Sequence, residues 1–335
     1  MTQSERPSID IHAHVGTPAC DELVEGLFST KLDPFTFYGG AETVEYNKAH
    51  FGSVGPKLVN PSIRLAEMDK MRIDIQALSV APPQFYYWSD PELGRRLARM
   101  QNEHLAELVG GHSDRFVGLA TVPLQDVAAS VAELEYGVTK LGFRGVEICT
   151  NVNGLDLDDR RFPPFFAKAA ELDVVVLLHP HGFTQGDRLM DYYLSNVIGN
   201  PLDSTVALTR MIHGGVLEDF PRLKLCLVHG GGYLPYYSSR MDHAYHERPE
   251  GRRHITRPPS SYLAQVHVDS VVYDAPHLKF LIERMGADHV VLGTDYPYDM
   301  GSYDPLGLLD SVEGLTDEQR FQVRSGTAAR LLKIT

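Results

Sequence analysis

The chain has 335 residues, 43% of them hydrophobic and 22% charged, with a formal net charge of −13. That balance suits a soluble globular protein with a large buried core. The acidic excess excludes nucleic acid as a partner, because a phosphate backbone needs a basic surface to displace its counterions. Residues 8–16 read as a first strand, Ser8-Ile9-Asp10-Ile11-His12-Ala13-His14-Val15-Gly16. Residues two apart on a strand share a side, so His12 and His14 project together. Residues 17–62, rich in glycine, proline and aromatics, read as a long irregular insertion of the kind that makes lids and binding loops. A short helix over 63–71 leads to a strand over 73–80. An aromatic loop follows, Pro82-Pro83-Gln84-Phe85-Tyr86-Tyr87-Trp88, which holds the only tryptophan. Helix and strand then alternate: helices over 91–110, 127–141, 163–172, 204–217, 233–246 and 276–285 precede strands over 116–122, 143–149, 174–179, 223–229, 266–270 and 289–295. Helices after Thr316 close the chain.

Eight short apolar strands alternating with helices indicate a parallel sheet with helices on its outer face. The pattern predicts a (β/α)8 TIM-type barrel with a long insertion after strand 1, in one domain spanning 1–335. A doubly wound sheet is the competitor, but no Gly-x-Gly-x-x-Gly turn follows any strand. Three scattered cysteines, Cys20, Cys149 and Cys226, lack metal-type spacing and make a disulfide framework improbable, which points to the cytoplasm. The first residues carry no apolar signal region, and no run approaches the ~20 apolar residues of a membrane span, so no membrane partner is expected.

In a barrel, chemistry gathers at the C-terminal ends of the strands. Strand one ends in His12-x-His14, strand five in His179-Pro180, strand six in His229-Gly230 and strand eight in Thr294-Asp295-Tyr296-Pro297. A lone terminal histidine is ordinarily solvent-facing or a hydrogen-bonded core residue. Four such coincidences at one end of a barrel point instead to a metal site, with His12, His14, His179 and Asp295 as ligands. Three imidazoles and a carboxylate suit one divalent ion, Zn2+ first and Mn2+ second. Strand four ends in Glu147-Ile148-Cys149-Thr150 with no lysine, so the carboxylated-lysine bridge of two-metal barrels is absent. His229 is better placed to move a proton than to bind the ion. His181 reads as a loop or supporting residue, and the remaining histidines, His267 and His289 among them, as structural.

The set Ile11-His12-Ala13-His14, Leu178-His179-Pro180, Val228-His229-Gly230-Gly231-Gly232 and Leu292-Gly293-Thr294-Asp295-Tyr296-Pro297 resembles the metal-dependent amidohydrolase superfamily. It resembles most the branch of aminocarboxymuconate-semialdehyde decarboxylase and related non-oxidative decarboxylases. Arg64-Leu65-Ala66-Glu67-Met68-Asp69, Val122-Pro123-Leu124-Gln125-Asp126, Arg257-Pro258-Pro259-Ser260-Ser261-Tyr262 and Val268-Asp269-Ser270 extend the likeness nearly end to end. The resemblance implies the same four metal ligands, His229 as the proton-handling residue, and a homodimer in which Arg240 reaches the substrate across the interface. A second family arginine, in the first long loop, falls on Gly52. The activity implied is metal-dependent decarboxylation of an aromatic or muconate-type acid, a small anionic substrate, with His229 and Asp295 as catalytic groups. Phe85, Tyr86 and Trp88 could pack on a flat substrate or form a hydrophobic plug, and Arg240 could instead pair with Asp242 or Glu247. The same site would also serve a hydrolase of an amide or lactone, or a hydratase. A barrel whose metal only staples the fold is the non-enzymatic alternative.

Overall fold

The computed structural model describes residues 6–27, 31 and 33–334. Eight parallel strands pair in chain order: β1 (Ile9–Val15), β2 (Ile75–Val80), β3 (Phe116–Ala120), β4 (Gly145–Cys149), β5 (Val175–His179), β6 (Lys224–Leu227), β7 (Val266–Asp269) and β8 (Val290–Val291). The ends of the sheet meet. Ile11 N donates to Leu292 O at 3.0 Å, Asp295 N to His12 O at 2.8 Å and His14 N to Tyr296 O at 2.8 Å. These bonds close a (β/α)8 barrel. Strands such as Val175–His179 are buried on both faces because side chains fill the barrel and helices cover it.

Several helices begin where the sequence supplies caps. Asn60, Asp90, Asp126 and Asp274 each accept a backbone N–H at a helix start: α3 (Pro61–Met71), α4 (Pro91–Gly111), α5 (Val127–Thr139) and α9 (Ala275–Met285) respectively. Between them run α6 (Pro163–Leu172), α7 (Asn200–His213) and α8 (Leu234–Glu247). A small antiparallel hairpin, Asn151–Val152 with Leu155–Asp156, interrupts the loop after β4.

The insertion is not irregular. It holds α1 (Pro18–Val24), a single turn at Pro34–Phe37 and the twenty-residue α2 (Gly40–Val59); residues 28–30 and 32 lie outside the described residues. Its glycines and Pro56 suggest breaks, but Ala41, Glu42, Glu45, Lys48 and Ala49 favour helix. Val54 and Leu58 bury one face of α2 against Ala81 and Tyr298 at the barrel mouth, and that packing outweighs the propensity of Gly52 and Gly55. Gly16 N–H donates to Leu58 O at 3.2 Å, tying the end of the helix to the strand it follows.

β1 does not alternate strictly. Ile9 and Ile11 pack with Val175 and Leu177, which share a face of β5 with His179. The register of β1 against β2 then shifts between Asp10 and Ala13. Beyond the shift it is His12 and His14 that face inward, the way a bulge re-aims side chains beside a site. The lower barrel is sealed by Ala328, Leu331 and Leu332 of the C-terminal helix Thr327–Leu332, which join the same apolar cluster.

His267, on β7, donates from Nδ1 to Leu225 O at 3.2 Å and stacks on His289 with centroids 4.7 Å apart. Burial pushes its pKa down to about 3, assisted by His289 and Arg330 and opposed by Asp288. The unfolded chain therefore binds a proton below pH ~6.5 that the folded chain refuses. Stability from this residue is present above pH 6.5 and is lost as pH falls from 6.5 towards 3. Urea unfolding of His267→Gln is expected to lose about 2–3 kcal/mol less between pH 7 and pH 4.5 than the parent; equal losses would remove His267 as the cause.

Candidate metal centre

His12 and His14 close β1, His179 closes β5, and Asp295 follows β8. Each offers an atom, and the four atoms lie within 4.8 Å of one another. Hydrogen bonds on the far side of each ring fix which nitrogen faces the centre. His12 Nδ1 donates to Asp269 Oδ2 at 2.7 Å, His14 Nδ1 to Val80 O at 3.1 Å and His179 Nδ1 to Pro180 O at 2.7 Å. All three Nε2 atoms therefore present lone pairs inward. His12 Nε2 and His14 Nε2 stand 3.1 Å apart, an arrangement that repels unless a proton or cation lies between them. Asp295 Oδ1 is 3.4 Å from His12 Nε2 and 3.2 Å from His14 Nε2. Ligands about 2.1 Å from one ion stand about 3.0–3.4 Å from each other, so the separations fit a single divalent ion. His179 Nε2 and Asp295 Oδ1 are buried without a hydrogen-bond partner, as unclaimed ligand atoms would be. Burial lowers the pKa of His179, and the neighbouring histidines deepen the shift, keeping it neutral. Burial alone would raise Asp295; any proton carried by His12, His14 or His229 acts the other way and draws it well below the carboxylate range.

A second layer holds this set in place. Asp269 also accepts from the backbone of Gly230 at 2.8 Å and Val271 at 3.1 Å. Only glycine fits at 293, where a Cβ would come within 2.9 Å of Asp269 Cβ and 3.2 Å of His12 Cβ. Asp10 Oδ1 accepts from His12 N at 2.9 Å and Thr294 N at 3.0 Å, the N–H groups displaced where β1 and β8 depart from regular pairing. Its other oxygen accepts from Gln76 Nε2 at 2.8 Å and Thr294 Oγ1 at 2.6 Å. Gln76 in turn accepts from Arg64 Nη1 at 2.8 Å, while Arg64 Nη2 donates to His14 O.

His229 lies beyond β6, with its Nε2 3.4 Å from Asp295 Oδ2. It and Asp295 both take left-handed backbone conformations, φ 54° and 57°. Non-glycine residues adopt that region at a cost and cluster there at functional sites. The glycines that follow His229 serve this turn rather than a phosphate: Gly230–Gly232 all have positive φ, and a Cβ at 232 would stand 2.2 Å from Pro201 O.

Glu147 sits in β4 with both carboxylate oxygens buried and without a hydrogen bond. It lies 3.8 Å from His14 Nδ1, and burial raises its pKa to about 7. A glutamate inside the apolar run Gly145–Cys149 was the available signal. Asp10 and Asp269 carried less, since their partners lie up to 284 residues away in sequence.

Above the four residues opens a cavity of about 110 Å3, lined by His179, His229, Asp295 and Tyr298 and roofed by Asn47, His50, Phe51 and Val54 of α2. The aromatic loop faces elsewhere. Phe85, Tyr86 and Trp88 line a neighbouring cavity of about 550 Å3, which shares Pro82, Pro83 and His181 with the first. Phe85 stacks on Tyr87, Tyr86 Oη donates to Asp21 at 2.6 Å, and Trp88 packs with Cys20, Val24 and Leu97. His181 joins Asp33 at 2.7 Å in the wall between the two cavities. Arg240 is exposed on α8 and lines neither cavity. Among the described residues it makes no ion pair with Asp242 or Glu247; Asp242 instead accepts from Ser260 N at 2.8 Å and Oγ at 2.6 Å.

An amidohydrolase family model matches residues 9–334. A 2-amino-3-carboxymuconate-6-semialdehyde decarboxylase of Dictyostelium discoideum is 35% identical over 284 residues, covering 84% of this chain and 79% of that protein. Among solved structures, 5-carboxyvanillate decarboxylase from Sphingomonas paucimobilis superposes with a TM-score of 0.86 at 26% identity, over 99% of this chain and 100% of the other. The Novosphingobium aromaticivorans 5-carboxyvanillate decarboxylase, crystallised with manganese and 4-hydroxy-3-methoxy-5-nitrobenzoic acid, does so at 0.84 and 25% identity over the whole of both chains.

Proposed function

Because the chain belongs to the amidohydrolase family, and within it to the decarboxylase branch, we propose that it is a metal-dependent non-oxidative decarboxylase of an aromatic or muconate-type acid. The observation that carries the reading is the convergence of three inward Nε2 lone pairs and one carboxylate beneath a small cavity that His229 also lines, 3.4 Å from Asp295. The cavity of about 110 Å3 is below the ~150 Å3 that takes a benzene ring, so it admits no more than one ring.

When bound, the ion supplies positive charge and Lewis acidity at the floor of the cavity. His12, His14, His179 and Asp295 would hold it, with Asp269 orienting His12. Loss of carbon dioxide leaves a carbon that must take one proton. His229 Nε2 and Asp295 Oδ2, 3.4 Å apart, are the groups that hold and move that proton. α2 covers the cavity and limits water around the carbon being protonated. Zinc is the proposed resident ion and manganese the alternative. Phe85, Tyr86 and Trp88, one cavity away, would contact only a substrate long enough to pass Pro82 and Pro83.

We further read the chain as one domain over 1–335 and as a homodimer. Arg240 is exposed on the same helix as Tyr236 and Tyr237, which are 69% and 55% exposed, an aromatic face suited to an interface. In the dimer Arg240 would serve the neighbouring subunit's cavity and its anionic substrate. Three free, buried cysteines accord with a cytoplasmic location, and among the described residues no helix is long and apolar enough to cross a membrane.

The test is carbon dioxide release by the metal-loaded protein from 5-carboxyvanillate, dihydroxybenzoates and 2-amino-3-carboxymuconate semialdehyde. Release from at least one is expected. Hydration or ring opening without carbon dioxide would replace this reading with the hydratase or hydrolase one.

A further inference from the structure

The small cavity over the metal centre and the larger one beside it share Pro82, Pro83 and His181. The two prolines sit in one tight turn, Pro82–Gln84, and a proline ring is tied to its own backbone. Of the three, only His181 has a side chain that could swing aside. What holds it comes from the insertion. Its Nε2 stands 2.7 Å from Asp33 Oδ1, and the two side chains are 16% and 10% exposed. Asp33 is itself fixed by Thr36, whose Oγ1 donates to the other carboxylate oxygen. The Phe35 ring stacks on the imidazole at 5.6 Å with planes 25° apart. Asp33 and Pro34 line the large cavity and Phe35 the small one, so the insertion crosses the wall within three residues. Gly182, which follows His181, lets it lie that close: φ there is 78°, and a Cβ would stand 2.4 Å from Phe35 N.

A side chain held at its tip by a carboxylate and on its face by a ring has little rotamer freedom left. The spaces on its two sides differ greatly. The metal side, about 110 Å3, admits no more than one ring. The far side, about 550 Å3, is lined by Phe85, Tyr87 and Trp88 together with Asn151 and Asn153, and a second flat ring can pack on such aromatic surfaces. We propose that His181, pinned by Asp33 and Phe35, is the specificity-determining stop that confines the substrate to the metal-side cavity. The cavity behind it is a subsite for a second ring, closed off by that one side chain. This assignment rests on the decarboxylase reading for the acid that enters, and it adds what limits the length of that acid.

The experiment is calorimetric and fluorescence titration of the manganese-loaded protein with benzoate, biphenyl-3-carboxylate and biphenyl-4-carboxylate. Trp88, the only tryptophan, reports on the large cavity that it lines. The parent is expected to bind benzoate about tenfold or more tightly than either biphenyl acid, since forcing extra volume into a packed interior costs at least that much. His181→Ala should raise the ratio of biphenyl to benzoate affinity about tenfold for one of the two biphenyl acids, with metal content kept and Trp88 emission altered by that acid but not by benzoate. Asp33→Ala, which releases the pin and leaves the residues beside His179 in place, should shift the same ratio in the same direction by about threefold; where His181→Ala loses its metal, Asp33→Ala decides. A parent that binds the biphenyl acids as tightly as benzoate, an unchanged ratio in the variants, or a gain without a Trp88 signal overturns the assignment. None of these touches the decarboxylase reading, which carbon dioxide release decides separately. No binding of benzoate by the parent also overturns the assignment, and together with no carbon dioxide release it overturns both.

Discussion

His229→Asn is expected to lower kcat about 10³-fold, within the ~10²–10⁴ that a positioned acid–base group contributes, while the protein keeps its metal. His229 is outside the group whose ligand atoms converge within 4.8 Å; its polar contact with that group is Asp295 Oδ2 at 3.4 Å, and its ring stands edge-on to those of His179 and His12 at 5.1 and 5.4 Å. Asparagine preserves a polar contact there but cannot carry a proton at neutral pH. Steady-state kinetics on whichever acid the parent decarboxylates, with metal analysis of the same sample, checks both halves. His179→Ala is the contrasting variant. It removes an Nε2 that has no other partner, so metal content and activity should fall together. A His229 variant that turns over normally would mean that the proton comes from elsewhere. No turnover of any acid by the metal-loaded parent, together with unfolding of the metal-stripped parent, would instead make the metal a structural staple.

Arg64→Met is expected to lower the unfolding free energy by about 1.5–3 kcal/mol, the range for hydrogen bonds made by a charged group. The side chain is 1% exposed. Its guanidinium spans Gln76 Oε1 at 2.8 Å and the carbonyl of His14, and lies over the Tyr296 ring with Cζ 4.8 Å from the centroid. Burial lowers its pKa to about 10, which still leaves it charged at neutral pH. Methionine fills much of the volume but leaves two acceptors unpaired in the interior. Because one of those acceptors is the backbone of His14, metal affinity should weaken as well, by about tenfold or more, as for other groups that orient metal ligands. Arg64→Lys keeps the charge but loses the planar fork, so its loss should fall between the two. Denaturant unfolding of the metal-free and metal-loaded forms separates the terms. A loss below about 1 kcal/mol in both would show that the network contributes little.

How much of this was legible in the chain differs from residue to residue. The helix–strand alternation and the strand-end positions of His12, His14 and His179 follow from local pattern, since a two-residue or 3.6-residue period is written into neighbouring positions. The insertion misled, because glycine and proline bias a segment away from helix only until burial of residues such as Val54 and Leu58 outweighs them. Strand β8 misled in a milder way. Its regular part is Val290–Val291, and Asp295 reaches the centre through irregular backbone bonded to β1. Glu147 was readable as a carboxylate in an apolar strand, but its distance from His14 was not.

Sequence alone determined the barrel, the end of it at which chemistry gathers, and the side chains available to ring an ion, because each depends on the order of apolar and polar residues along a few turns or strands. Tertiary structure decided the rest. The register shift in β1 that turns His12 inward, the carboxylate of Asp269 and the carbonyl of Val80 that set the tautomers of His12 and His14, the helical roof with His50, and the outward position of Arg240 all depend on contacts between segments far apart in the chain. Such contacts are settled by packing and by the need to pair buried polar atoms, and neither leaves a periodic trace in the sequence.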